Sequence, residues 1–449
     1  MAAPRPHRLS PAQVLVVSLL ALIAAGTVLL RLPISSQGQP ISVLDALFTS
    51  ASAVCVTGLI VVDTPTQFSV FGQTVLLVLI QAGGLGYMTI SSVVAAALGR
   101  QLSVHERRTL QEALNVQSME GLARFTIRLL RFTLAFELAG AVLLAARFAF
   151  DMNPAQAAYF GLFHSVSAFN NAGFALFSDN LIGYRGDWIV NLVICGLIVC
   201  GGIGFIVLAE IGDFRSRERL SVHTKVVLSM TALLILVGAV AVFLLERTNP
   251  RTLGPLGFSE RLLASIFQAV TPRTAGFNTL DVGSLTEPTL FLTMILMFIG
   301  AAPGGTGGGV KVTTFGIVVT ALWATVRGVD EPTLFKRRIP LQVVVRAFFI
   351  CLIAFLGLNA MAVVLLVHEQ HGLIATLFET ASAFGTVGLS VGTAGAPYSL
   401  AGAFSPTGKA LVAAAMFIGR IGPLTLAVAL ARRRTQTRIR YAEATILVG

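Results

Sequence analysis

Long apolar stretches separated by short polar segments dominate the hydropathy pattern of this chain. A helix that spans a bilayer needs about 20 mostly apolar residues. Eight stretches have that length, the sixth of them interrupted by glycines: 12–31, 70–97, 125–149, 187–210, 224–245, 288–326, 340–367 and 407–431. The pattern therefore predicts an all-α polytopic membrane protein with eight spanning helices.

A short motif lies between the two members of each consecutive pair of stretches. Its four copies begin at Phe48, Phe163, Phe267 and Phe378, and they read FTSASAVCVTGL, FHSVSAFNNAGF, FQAVTPRTAGF and FETASAFGTVGL. Each copy carries a hydroxyl side chain four residues after the Phe and ends in Gly followed by Leu or Phe, although the third copy is one residue shorter. Self-similarity at such intervals indicates an internal fourfold repeat.

The repeat divides the chain into four units and a tail. The predicted boundaries are 1–98, 99–212, 213–330 and 331–431, with a cytoplasmic tail at 432–449. Each motif is too short to span and must enter and leave on one side, as a half-helix and a return loop. Such irregular backbone is tolerated at membrane depth where protein buries it or water lies beside it. The predicted fold is four tandem M1–pore helix–M2 repeats around a central pore.

Composition and charge agree with a membrane protein. Only 12% of the residues are charged and 55% are hydrophobic, whereas soluble domains have about 25% charged residues. The basic residues behind the net charge of +11 fall on one side of an eight-helix topology, which predicts two cytoplasmic termini. This placement accounts for the charge without a nucleic-acid partner. The four cysteines lie in apolar or repeat segments with no CxxC pair.

The return loops are the first candidate site. A cation that crosses a membrane sheds its water, and a ring of main-chain carbonyls can replace that shell. Glycine adopts the backbone conformations that such a ring needs, and the half-helices direct partial negative charge towards it. The predicted filter, with K⁺ held by main-chain carbonyls, comprises Val56, Thr57, Gly58, Asn171, Ala172, Gly173, Thr274, Ala275, Gly276, Thr386, Val387 and Gly388. The alternative is that the glycines only cap short helices.

The second candidate site is a glycine-rich interruption of the sixth stretch. A helix does not continue through Pro303 and the glycines around it, so the stretch should split around a loop that acts as a gate. The gate residues are Gly304, Gly305, Thr306, Gly307, Gly308, Gly309 and Arg420. The alternatives are a merely kinked helix and, for Arg420, a buried pair with Glu210 or Glu137. The sequence GGTGGGVK nearly matches a phosphate-binding loop, but Val310 displaces the lysine and no strand precedes it.

Three other polar residues of the motifs do not form a catalytic group. Arg273 precedes the third return loop and is expected to be structural. His164 and Glu379 have no sequence partners for a metal or acid–base site. The chain has no nucleophile–base pattern, so it is not expected to be an enzyme.

These motifs resemble those of the superfamily of K⁺ transporters that includes bacterial Trk and Ktr proteins and plant HKT. The similarity covers essentially the whole chain and rests on VTGL, NNAGF, RTAGFN and TVGLS, on PGGTGGGVK and on FIGRIGPLT. Only one spanning stretch precedes the first motif, so the chain resembles the Ktr-type membrane subunit, KtrB, more closely than Trk subunits. Its last residues, YAEATILVG, also resemble Ktr tails. Family members usually have Ser or Ala where this chain has Pro303-Gly304-Gly305.

The resemblance implies several properties that the residues alone do not. It implies a gated K⁺ uptake pore in the bacterial cytoplasmic membrane, a homodimer, and an octameric cytoplasmic RCK-type regulatory subunit, KtrA, which binds ATP or ADP. Glycine at all four filter positions favours K⁺, because serine at the first accompanies Na⁺ permeability in plant relatives. Dependence on Na⁺ stays open. Two alternatives also stay open, an alternating-access cation symporter and the K⁺-translocating subunit of an ATP-driven pump.

Overall fold

The structure, a computed structural model, describes residues 11–86, 122–212, 220–329, 331–392 and 398–422. This part of the chain is almost entirely helical, and its one sheet is a hairpin of two antiparallel strands, Thr333–Leu334 and Arg337–Arg338. The predicted all-α fold is confirmed. The repeat boundary at 98/99, the tail 432–449 and most of the basic segments behind the topology prediction lie outside the described residues, so the orientation of the termini stays a prediction.

The helices recur in one order: a long first helix, a short half-helix, a return loop and a second helix. The first helices are α1 (Pro11–Arg31), α5 (Leu122–Phe148), α9 (Val222–Glu246) and α13 (Leu341–His368). The half-helices are α2 (Val43–Val54), α6 (Pro154–Phe169), α10 (Phe258–Val270) and α14 (Leu373–Gly385). The second helices are α4 (Val70–Leu85), α7 with α8 (Trp188–Gly202, Phe205–Gly212), α11 with α12 (Glu287–Phe298, Val312–Val326) and α15 (Pro406–Ile421). The return loops hold α3 (Thr64–Gln67) and 3-10 turns at Ile182–Tyr184, Val282–Ser284 and Leu400–Ala403, and another 3-10 turn, Pro33–Ser35, follows α1.

The long first helices have the length and composition of membrane spans. All four qualify, and the bent pair α7–α8 would make a fifth. Their apolar side chains are largely uncovered by protein: on α13, Phe348, Phe349 and Phe355 are all more than half exposed. Exposed apolar faces this large are typical of a surface that contacts lipid or another protein.

The four repeats close into a ring through the half-helices. Each half-helix packs against the first helix of its own repeat and against the second helix of the preceding repeat. The same arrangement joins the last repeat to the first, because α15 packs against α2. An ion pair of 2.8 Å between Lys409 and Asp45 adds a polar contact at this closure. The ring leaves the ends of the four half-helices at its centre.

Polar contacts tie the end of each first helix to the start of the second helix in the same repeat. Ser35 accepts a main-chain hydrogen bond from Ser69 at 3.0 Å, and Arg147 pairs with Asp187. Glu246 accepts the main-chain N–H of Thr286 at 2.8 Å, and Glu369 accepts that of Ser405 at 3.0 Å. Three of these ties satisfy a free N–H group at a helix start, and all four fix the base of a return loop.

The second helices differ from the predicted continuous stretches. Helix α4 ends at Leu85, α7 bends by 103° into α8, and α15 ends at Ile421. The residues that follow adopt left-handed backbone: Gly86 (φ 78°), Gly204 (φ 92°) and Gly422 (φ 85°). Left-handed backbone stops a helix and suits glycine. The second helices of the second and third repeats are therefore interrupted at glycine-rich sequences, and those of the first and fourth end at related glycines, whereas the sequence predicted an interruption only for the sixth stretch. The rest of 70–97 and 407–431 lies outside the described residues.

Candidate functional site

The four closing glycines of the motifs meet in a ring at the centre of the fold. All four have left-handed backbone: Gly58 (φ 93°), Gly173 (φ 70°), Gly276 (φ 77°) and Gly388 (φ 95°). A Cβ atom added to each glycine would lie within 2.2 to 2.8 Å of a carbonyl oxygen in the next repeat. Those oxygens belong in turn to Ala172, Ala275, Val387 and Thr57. Only glycine fits this ring, and main-chain atoms form its contacts.

The residue two positions before each glycine is also left-handed. These residues are Val56 (φ 56°), Asn171 (φ 59°), Thr274 (φ 77°) and Thr386 (φ 51°). The residue between each of them and its glycine does not have positive φ. The backbone handedness therefore alternates along each of the four segments that form the ring. In an extended strand successive carbonyls point to opposite sides, and alternating handedness turns them to one side. Sequence reasoning missed this requirement at the non-glycine positions.

The hydroxyl side chain of each motif holds the loop that carries the glycine. Ser52 accepts the N–H of Gly58 at 3.0 Å, and Ser382 accepts that of Gly388 at 3.0 Å. The hydroxyls of Ser167 and Thr271 instead donate to the main-chain oxygens of Phe174 and Phe277, at 2.8 and 2.5 Å. All four hydroxyl residues are fully buried. The recurring hydroxyl is therefore a support for the ring, and its fixed spacing was the sequence signal for it.

The shorter third motif keeps its glycine in register by a tighter turn. In the other repeats a main-chain N–H reaches back five residues, as from Thr57 to Ser52 at 2.8 Å. In the third repeat the N–H of Ala275 reaches back only four residues, to Thr271, at 2.9 Å. The missing residue is absorbed at the end of the half-helix, so the third glycine still reaches the ring.

Buried polar side chains fix the return loops after the glycines. His164 Nε2 accepts the N–H of Leu176 at 3.2 Å, and its Nδ1 lies 2.8 Å from the oxygen of Phe160. Glu379 accepts the hydroxyl of Ser390 at 2.6 Å and the N–H of Ala401 at 2.9 Å. These contacts are structural, and the described residues contain no group of three or more metal-ligating side chains.

Arg273 ties the third return loop to the first helix of its repeat. Its guanidinium donates to the hydroxyl of Thr231 at 3.2 Å, and the side chain is buried. The structural role predicted for Arg273 agrees with these contacts.

A cavity of about 170 Å³ opens on the return-loop side of the ring. All four ring glycines contribute to its lining, together with the carboxylates of Asp63 and Asp179. Asp63 accepts the hydroxyls of Thr66 and Ser178, at 2.7 and 2.8 Å, which hold its charge at the cavity wall. Among the described residues, the lining includes two carboxylates and no basic side chain. The field in this cavity favours cations.

The sixth stretch is split, as predicted, by a loop that covers residues 299–311 between α11 and α12. Main-chain hydrogen bonds attach this glycine loop to the bend of the fourth stretch: Ala302 donates to Gly202 at 2.9 Å, and Thr306 donates to Gly201 at 3.1 Å. The hydroxyl of Thr306 donates to the oxygen of Phe169, at the end of half-helix α6. The loop therefore lies against the half-helix side of the ring, opposite the cavity.

Arg420 joins the glycine loop to the first repeat. Its guanidinium donates to the main-chain oxygens of Thr306 and Gly83. Arg420 therefore contacts main-chain oxygens, and it does not form the alternative ion pair with Glu210 or Glu137. Of the two carboxylates considered for it, Glu137 accepts from Asn170 at 2.9 Å and Glu210 accepts from Thr224 at 2.7 Å.

Lys311 is a second cation at the glycine loop, and sequence reasoning missed it. Its Nζ donates to the oxygen of Gly307 at 2.7 Å, next to the Thr306 oxygen that Arg420 contacts. Two neighbouring carbonyls of the loop thus face two basic side chains. The available signal was a lysine two residues after a glycine run within an apolar stretch.

The glycines of the other second helices pack against the ends of the half-helices. A Cβ atom at Gly83, Gly201 or Gly419 would lie 1.8 to 2.0 Å from the oxygen of Val54, Phe169 or Phe384. Real Cβ atoms essentially never approach so closely. The related glycine positions of these stretches therefore bring the second helices against the half-helices, directly behind the ring.

Comparison with known proteins shows the family and the fold of the chain. The family model described as TrkH, cation transport protein, matches residues 7–439. The chain belongs to the TrkH family of cation transport proteins. A solved TrkH family structure, the potassium transporter TrkH from Vibrio parahaemolyticus, shares the fold with a TM-score of 0.72 at 20% identity, over 95% of this chain and 86% of that one. The chain is thus a polytopic membrane protein of a transport family, not of an enzyme family.

Several known potassium uptake proteins are similar to this chain along nearly their whole length. The Ktr system potassium uptake protein B of Bacillus subtilis is 44% identical, over 98% of this chain and 97% of that protein. The protein of the same name from Vibrio alginolyticus is 40% identical, over 97% and 94%. The potassium/sodium uptake protein NtpJ of Enterococcus hirae is 37% identical, over 98% of both chains.

Proposed function

We propose that this protein takes up K⁺ across the bacterial cytoplasmic membrane through a gated, channel-like pore. The observation that carries this proposal is the closed ring of Gly58, Gly173, Gly276 and Gly388, in which each glycine meets a carbonyl of the next repeat. Rings of main-chain carbonyls replace the hydration shell of K⁺ in selective pores. The names of the similar potassium uptake proteins support K⁺ as the ion.

The electrostatics of the site fit a cation path. The C-terminal ends of the four half-helices lie at the ring, and the C-terminal end of a helix carries partial negative charge. The cavity on the other side of the ring holds two carboxylates. By the predicted topology this cavity faces outward, so a cation entering from outside meets negative potential before it reaches the ring.

The glycine loop and Arg420 form the gate in this proposal. The loop occupies the inner side of the ring, where two basic side chains contact it. A cation leaving the ring inward meets both the loop and positive charge, so inward flux requires the loop to move. Gly304 and Gly309, whose backbone is left-handed (φ 71° and 68°), give the loop conformations that other residues rarely adopt.

Regulation by a partner and dimer formation are part of the proposal. The similar Ktr proteins are named as components of a system, which supports a separate regulatory subunit. We expect a homodimer whose basic cytoplasmic loops contact an octameric RCK-type ring, with ATP or ADP bound to the ring and not to this chain. The name of the similar potassium/sodium protein keeps Na⁺ in consideration as a second ion.

The arrangement favours a pore over an alternating-access symporter. Secondary transporters often use inverted repeats with charged sites at the membrane midplane. Here all four repeats present equivalent half-helix ends and equivalent glycines to one centre, which is the symmetry of a filter.

Growth of a bacterium that lacks its own K⁺ uptake systems tests the proposal. The protein, expressed with its regulatory subunit, should restore growth at low K⁺. The variant Gly276→Asp should not, although it reaches the membrane in equal amount. Full rescue by Gly276→Asp would contradict the filter, and failure of the well-expressed wild type would contradict K⁺ uptake.

A further inference from the structure

Two threonine side chains of the ring touch the glycine loop directly. Thr274 and Thr386 are the left-handed residues of the third and fourth repeats, and both are fully buried. The hydroxyl oxygen of Thr386 accepts the N–H of Gly308 at 3.1 Å. The hydroxyl of Thr274 lies against Gly307, since a Cβ added there would be 1.9 Å from its oxygen.

These contacts explain why the loop has glycine at two particular positions. A Cβ at Gly308 would lie 2.3 Å from the hydroxyl oxygen of Thr386, and its distances to the other side-chain carbons of that residue are 3.0 and 3.2 Å. Neither Gly307 nor Gly308 has positive φ, so backbone conformation does not require glycine there. Glycine is required there because both residues contact threonine side chains of the ring. The loop in this position fits the ring only without side chains at 307 and 308.

We propose that Thr274 and Thr386, with Gly307 and Gly308, form a threonine latch that couples the gate to the filter. In this arrangement the loop cannot leave the ring without breaking contacts to residues of the filter itself. The latch adds to the contacts that Arg420 and Lys311 make with the main-chain oxygens of Thr306 and Gly307. The inference rests on the proposed function, because it assigns a role within the same pore.

The latch ties the glycine loop to the ring at the third and fourth repeats. Thr274 and Thr386 sit two residues before Gly276 and Gly388, so their side-chain positions follow the backbone of the ring. A change in the ring at these repeats would therefore be transmitted to the loop. The corresponding residue of the first repeat is Val56, which has no hydroxyl that could accept a hydrogen bond.

Flux through purified protein in liposomes, measured with Rb⁺ as tracer and without the regulatory subunit, tests the latch. Thr386→Val keeps the shape of the side chain but removes the acceptor for Gly308. Loss of one neutral hydrogen bond should raise basal flux about three- to tenfold. The matched control is Thr320→Val, because the Thr320 hydroxyl contacts only Gly316 of its own helix. Basal flux of Thr386→Val equal to that of the wild type would overturn the latch.

A compensation experiment gives a readout that a merely structural role would not move. Gly307→Ala should open the gate by its clash with Thr274, and Thr274→Ala should weaken the latch. In the double variant the new methyl group takes the place of the lost hydroxyl, so basal flux should fall below that of Gly307→Ala alone. Flux in the double variant equal to or above the larger single value would overturn the latch. Absence of any K⁺ flux in the wild type would instead refute the proposed function.

Discussion

Arg420, in the last described helix, donates a hydrogen bond to the main-chain oxygen of Thr306 in the loop that interrupts the sixth apolar stretch. The same guanidinium reaches the oxygen of Gly83 in the first repeat. One side chain therefore links the fourth, third and first repeats at the inner side of the glycine ring. This link gives the proposed gate its closed position, and its removal has a defined consequence.

We expect Arg420→Gln to raise basal K⁺ flux about tenfold or more. Hydrogen bonds to charged groups contribute roughly 1.5–3 kcal/mol, and about 1.4 kcal/mol corresponds to a factor of ten in the closed-to-open equilibrium. Removal of a positive charge from the ion path acts in the same direction. The measurement is tracer flux in liposomes, with Arg251→Gln in an exposed loop as the control. Unchanged flux in a well-folded Arg420→Gln protein would argue against this role.

The ring itself should tolerate no side chain. We expect Gly388→Ala to lower K⁺ flux by more than about tenfold, because its Cβ would lie 2.2 Å from the oxygen of Thr57 and left-handed backbone costs an alanine roughly 1–2 kcal/mol. Gly372→Ala is the matched control. Gly372 starts the same half-helix with open space around it and a φ of −60°. The two variants should differ in flux and not in yield from size-exclusion chromatography, and equal flux would contradict the ring.

The supporting hydroxyls should affect selectivity. Ser52→Ala leaves the N–H of Gly58 without its acceptor, and an unsatisfied buried donor costs about 1–3 kcal/mol. We expect lower K⁺ flux and a higher ratio of Na⁺ to K⁺ flux, because the carbonyls of the first repeat lose their fixed position. The control, Thr49→Val, lies in the same half-helix and removes a buried hydroxyl that has no hydrogen-bond partner. A selectivity ratio that is the same in Ser52→Ala and wild type would show that Ser52 does not support the filter.

Asp63, whose carboxylate lines the cavity, should affect K⁺ entry through its charge. We expect Asp63→Asn to lower the rate of K⁺ entry about two- to threefold at low ionic strength, and to have little effect near 1 M salt, where the Debye length is about 3 Å. Measurements of initial uptake over a range of ionic strength, with choline as the impermeant cation, would show this convergence. A deficit that persists unchanged at high salt would point to a structural effect through the hydroxyls of Thr66 and Ser178, which Asp63 accepts.

Much of the fold follows from hydropathy and from the repeated motif. The first helices and the half-helices lie where the apolar stretches and the four Phe-to-Gly motifs predicted them. The end of α4 at Leu85 and the bend at Gly204 were not foreseen, because an apolar stretch with a few glycines has the hydropathy of a continuous helix. The positive φ of Gly86 and Gly204 becomes visible only when tertiary contacts set the backbone.

The candidate site was predictable in its residues but not in its contacts. The four glycines were evident from their register, since only a shared role explains glycine at the same place in four motifs. The partners of Arg420 were not, because a buried guanidinium can pair with a carboxylate or with main-chain oxygens, and sequence does not distinguish these. The contact between Thr386 and Gly308 was not predictable either, because it joins residues that lie 78 positions apart in the sequence.

The most direct test of the account is ion flux through the purified protein in liposomes, with K⁺, Rb⁺ and Na⁺ compared in the presence and absence of the regulatory subunit. Wild type should carry K⁺ and Rb⁺ much faster than Na⁺, and the partner with bound nucleotide should change the rate. Gly388→Asp should carry none of the three. Saturable Na⁺-coupled K⁺ uptake with no channel-like flux, or K⁺ flux retained in Gly388→Asp, would contradict a filter built from the four glycines.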